Sequence, residues 1–130
     1  MKKYILIALM LMVSSVTAAN VQVAFTWTAT GDDGNTGTAA QYNLRISSQP
    51  ITNANWDAAT PIPAIDSKVP LVAGSPETFA TTLDLNSETT YHFALKARDE
   101  AGNWGFVSND KVYTTLDLIP PGVIIDLNVQ

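Results

Sequence analysis

"LNSETTYHFALKARDEAGNWG", residues 85–105, decides the fold. Tyr91, Phe93, Leu95 and Ala97 occupy alternate positions, with His92, Ala94, Lys96 and Arg98 between them. A period of two marks a strand with one buried face. The alternation predicts the aromatic set inward and His92 at the surface. "DEAGN" then supplies the Asp, Gly and Asn that suit a turn.

The same period recurs on both sides. In "VQVAFTWT", residues 21–28, Val21, Val23, Phe25 and Trp27 share a face. "YNLRIS", residues 42–47, turns Tyr42, Leu44 and Ile46 inward, and "ETFATTLDL" does the same with Phe79, Thr81, Leu83 and Leu85. "SNDKVYTT", residues 108–115, reads as the last strand. Between residues 47 and 75 the pattern fades among Pro50, Pro61, Pro63 and Pro70. Proline donates no ladder hydrogen bond, so short edge strands are expected there, with Trp56 and Ile62 as packing anchors. Short alternating strands separated by turn signals predict an all-β, two-sheet β-sandwich.

The N-terminus has a different character. Lys2 and Lys3 precede the apolar run "YILIALMLMV", and "SSVTAA" follows. The run is too short to span a bilayer, and the small residues fit a secretory cleavage site after Ala18 or Ala19. The expected organisation is a signal peptide over residues 1–19, a β-domain over 20–116, and a linker with a strand-like tail over 117–130. That organisation implies a secreted or cell-surface protein, extracellular or periplasmic, with no membrane attachment after cleavage. Removing Lys2 and Lys3 takes the formal charge from −5 to −7. A chain this acidic lacks the basic footprint that nucleic acid requires.

In order and spacing these strands resemble a fibronectin type III domain over residues 21–115. Trp27 stands at that family's core Trp, Tyr42 and Leu44 match its third strand, and "LNSETTY" matches its Leu-x5-Tyr step. The resemblance implies an immunoglobulin-like sandwich in which Tyr91 is the tyrosine corner, its hydroxyl bonded back to the backbone of the preceding turn. The family's first strand has no counterpart ahead of residue 21, so that strand is expected to be missing at the N-terminus. A run that looks like it, "PPGVIIDLNVQ", occupies residues 120–130 instead.

No catalytic constellation is visible, and a non-enzymatic role is expected. His92 is the only histidine and there is no cysteine, which leaves out the usual zinc sets. By the resemblance, the loops after Trp27 and Ala97 meet at one pole. Asp32, Asp33, Asn35, Asp99, Glu100 and Asn103 could there offer oxygens to Ca²⁺, and Glu77 is expected nearby. Turn-making alone explains the same residues. No other cofactor is implied.

Trp104, in a turn, is a candidate platform for a polysaccharide or a protein partner. The expected function is a module for binding, adhesion or spacing. Two alternatives stand beside it, a carbohydrate-gripping accessory to a secreted enzyme and a subunit of a head-to-tail polymer. In the polymer the C-terminal strand, with Ile124, Leu127 and Val129 as contacts, is donated to another copy. The same tail could equally open a further domain of a longer chain, or dock on its own.

Overall fold

The computed structural model describes residues 17–130, and most of the signal-peptide expectation lies outside them. Six strands form: β1 (Ala18–Thr28), β2 (Gln41–Ser47), β3 (Thr60–Pro61), β4 (Pro76–Asn86), β5 (Thr90–Arg98) and β6 (Lys111–Thr114). They build two sheets, β1-β4 and β3-β2-β5-β6, with every pairing antiparallel. The protein is an all-β sandwich. β1 begins at Ala18, ahead of the expected domain start, and Ala18 and Ala19 pair with Asn86 and Leu85. Cleavage after Ala18 or Ala19 would trim only this end of the strand.

The alternating faces close on one another as their periodicity requires. Tyr42, Leu44, Ile62, Ile65 and Phe93 form the buried centre, with Phe25, Trp27, Phe79, Leu83 and Leu95 packed around it. The Phe93 ring meets Phe25 edge-on at 5.1 Å, and Trp27 meets Tyr42 in the same manner at 5.1 Å. Trp27 and Phe25 are nevertheless only half-buried.

Three expectations need correction. Residues 47–75 hold one two-residue edge strand and two 3-10 turns, Trp56–Ala58 and Pro63–Ser67, instead of several edge strands. Proline suits such turns better than ladders. The last strand is four residues long, because residues 105–108 reach β5 only through scattered bonds such as Ser108 N–H to the Leu95 carbonyl at 2.9 Å. The outer face of β5 is not simply solvated. Ala94 is buried there with Ile51, Trp56 and Ala59 in a second cluster. Trp56 is a packing anchor as expected, and the Arg45 guanidinium and the Lys96 ammonium stand over its ring, 4.8 Å and 4.7 Å from the centroid.

The turn ahead of β5 is latched by Tyr91, whose hydroxyl accepts the Asn86 N–H at 2.9 Å. This is the backbone bond expected of Tyr91. Tyr91→Phe keeps the ring and removes the acceptor, leaving that amide short of a partner. The expected loss is about 1–2 kcal/mol, read by denaturant unfolding. An unchanged midpoint would show that water replaces the hydroxyl.

Candidate functional site

The β1–β4 sheet has only two strands, so one edge of β1 is uncovered among the described residues. Beside that edge the two sheets part. A cleft of about 560 Å³ is lined by Trp27, Thr28, Asp32, Arg98, Asn103 and Phe106. A second, of about 390 Å³, is lined by Ala24, Phe25, Leu44, Phe93, Leu95 and Lys111. Thr26, Trp27, Leu95, Ser108 and Asn109 border both, so the clefts make one groove between β1 and residues 105–111. Its floor is apolar because the half-buried core residues of β1 and β5 face it.

The expected cation residues are divided at the upper end of this groove. Asp32, Asp99 and Asn103 line it, whereas Asp33, Asn35 and Glu100 do not. Asp32 is turned toward its own loop, where Oδ1 accepts the Asp33 N–H at 3.1 Å. Gly37, at φ 79°, passes so close to Asp32 that a Cβ there would collide with its carboxylate. Asp99 is likewise engaged. Asn103 donates its side-chain amide at 2.8 Å and its backbone N–H at 2.7 Å, and these bonds hold Asp99 below the usual carboxylate range. Among the described residues no three Asp, Glu or His side chains converge in a way that could hold a metal ion.

Glu77 lies at the expected pole, opposite Trp27 on the neighbouring strand, but it is 1% exposed inside the sandwich. Its Oε1 accepts from the Tyr42 hydroxyl at 3.1 Å and from the Leu71 N–H at 2.6 Å, and Oε2 pairs with the Lys68 ammonium. Burial disfavours its charge, but the bonds from Lys68, Leu71 and Tyr42 outweigh that and hold it below the usual glutamate value. It secures the residue 68–71 crossing to β4 and offers nothing to a ligand.

His92 is half-buried rather than on an open surface, with Nδ1 2.6 Å from the Asp110 carboxylate. The other Asp110 oxygen accepts the Ile51 N–H at 2.9 Å. The pair therefore ties the residue 49–51 loop to β5.

Trp104 is 42% exposed and packs against the Arg98 guanidinium, 5.6 Å from the ring centroid. Phe106 is 89% exposed at the groove's mouth. The sequence reasoning missed Phe106, although its position just beyond the Asn103–Gly105 turn was the available signal. Ile124, Leu127 and Val129 lie in the exposed tail, away from the groove of their own chain.

Comparison with protein-family models, with curated proteins and with solved structures finds no match to this chain.

Proposed function

We propose that the protein is a secreted, non-catalytic module of fibronectin type III type that binds or spaces in an extracellular or cell-surface protein. The observation that carries this is the groove mouth. Two exposed aromatic side chains, Trp104 and Phe106, stand with Arg98 at one pole of a rigid sandwich. Loops held by a stable scaffold are where binding residues concentrate. The Tyr91 latch and the strand order support the family likeness, and the apolar leader with its small-residue cleavage site supports export.

Polysaccharide is the second ligand class that the exposure of Trp104 favours, since an accessible indole offers a stacking face. One of its faces is already taken by Arg98, which fits a planar protein group equally well.

Export is tested directly. Expressed with its own leader in a bacterium, the protein should appear outside the cytoplasm with Ala19 or Asn20 as its first residue by mass spectrometry. An exported chain that keeps Met1, or a chain held in the cytoplasm, overturns the proposal. Binding is tested by depletion of the protein on insoluble cellulose, chitin and xylan. Retention that is lost in Trp104→Ala selects the polysaccharide reading.

A further inference from the structure

We infer that the groove beside β1 is a strand acceptor, and that its occupant is the segment of residues 122–130 from a second copy of this chain. This goes beyond the proposed function and rests on different observations. Export plays no part in it, so its failure would leave that proposal standing.

The acceptor is incomplete in a particular way. An edge strand presents a row of unpaired N–H and C=O groups, and β1 does so along a side that no described residue covers. Phe25, Trp27 and Leu95 are half-buried, and no described residue lies over them from that side. A strand laid along residues 24–28 would extend the β1–β4 sheet and close the gap between the sheets. It would do so with alternate side chains directed at an apolar floor.

The donor matches that demand. In "GVIIDLNVQ" the residues Val123, Ile125, Leu127 and Val129 fall on one face, while Ile124, Asp126 and Asn128 fall on the other. Val123, Ile125, Leu127 and Val129 are 87–91% exposed. No contact within their own domain accounts for so much bare apolar surface on one short run. Five residues at about 3.3 Å each span roughly 17 Å, the length of β1 that lines the groove, and the segment has residues to spare.

Direction selects a second copy over self-docking. β6 ends at Thr114 beside Thr90, at the pole where Ala18 and Asn86 pair, while the groove mouth lies at the opposite pole with Thr28 and Arg98. The root of the tail is held at the first pole. Leu118 N–H donates to Ser87 Oγ at 2.8 Å and Glu88 N–H to the Leu116 carbonyl at 3.2 Å. Pro120 and Pro121 then stiffen the exit. Within its own molecule the segment could enter the groove only by doubling back and running parallel to β1. Leaving the pole outward, it meets the groove mouth of a molecule stacked below and runs antiparallel to that β1, as β4 does on the other side. This is β-augmentation between copies. Because donor and acceptor are different surfaces, the contact is head-to-tail and propagates.

The test uses the purified chain and the double variant I125D/L127D, whose substitutions are in exposed positions and leave the sandwich untouched. Sedimentation velocity over rising concentration should show a growing series of species for the wild type and a monomer for the variant, with equal melting midpoints. A synthetic peptide of residues 122–130 added to the variant should bind, raise its melting midpoint and slow amide exchange at residues 24–28. A scrambled peptide should do neither. A wild type that stays monomeric, a series that the double variant does not abolish, or a peptide without effect overturns the inference. A monomeric wild type with protected amides at 123–129 would place the tail in its own groove and overturn it equally.

Discussion

Phe93→Ala should remove a large share of the domain's stability. Phe93 is 2% exposed, and its ring touches Phe25 from one sheet and Tyr113 from its own, at 5.1 and 6.5 Å. Removing it takes away transfer energy and leaves a cavity where the two sheets meet, and such truncations cost about 3–5 kcal/mol. A domain has roughly 5–15 kcal/mol in total. The melting midpoint should fall by more than about 12 °C. Trp27→Ala removes a larger ring but should cost less, about 2–3 kcal/mol, because part of that ring is never taken out of water. Thermal melting of the two variants side by side checks the order. Equal losses would mean that Trp27 is covered in solution, as a strand docked in the groove would cover it.

That contrast shows what alternation can and cannot report. Period two put Phe93 and Trp27 on inward faces, and both are inward. It could not tell how completely each face is covered, because coverage depends on which neighbouring strand is present. β1, β2, β4 and β5 were legible for the same reason: each is long enough for its phase to be unambiguous. The cover over Ala94 was not legible. It comes from residues 51–59, a segment without period, where Ile51, Trp56 and Ala59 are placed by a 3-10 turn and by Arg45, whose guanidinium donates to the Trp56 carbonyl at 2.9 Å. Phase alone puts His92 at the surface, yet Asp110 reaches it from a loop that no periodicity describes.

At the candidate site the two loops do meet at one pole. Of the two readings the sequence leaves open there, turn-making describes the bonds seen: Asp32 Oδ1 and both Asp99 oxygens accept from their own turns. The groove was invisible from the sequence because a gap between sheets is a property of strand order, so Phe106 could be read as a turn-flanking aromatic but not as the rim of a groove. Glu77 carried a usable signal. It is in phase with Phe79, Thr81, Leu83 and Leu85, so alternation places a carboxylate on the inward face of β4, where only a charge with partners can remain.

Glu77→Ala should therefore rank with the core truncations. The substitution leaves the Tyr42 hydroxyl, the Leu71 N–H and the Lys68 ammonium without their acceptor. Breaking one side of a buried pair typically costs about 3–5 kcal/mol. Lys68 keeps 20% side-chain exposure and can turn its ammonium to water, which puts the expected loss near the lower end, about 3 kcal/mol. Glu77→Gln is milder, because an amide oxygen can still accept from Tyr42 and Leu71, and the expected loss is roughly 1–2 kcal/mol. The two variants also separate charge from shape through pH. Glu77 is held below the ordinary 4.5 in the folded state, so it contributes stability that is fully present above its unfolded value. That contribution declines as pH falls through the folded value. The difference in unfolding free energy between wild type and Glu77→Gln should thus be constant above about pH 5.5 and shrink steadily below about pH 4.5. Asp99, also held low, is common to both proteins and cancels in the difference. Urea unfolding at a series of pH values measures it. A difference that stays flat into acid would mean that Glu77 takes up its proton at the same pH folded and unfolded, and one that grows as pH falls would mean that Glu77 is already protonated in the folded protein and Lys68 faces a neutral acid.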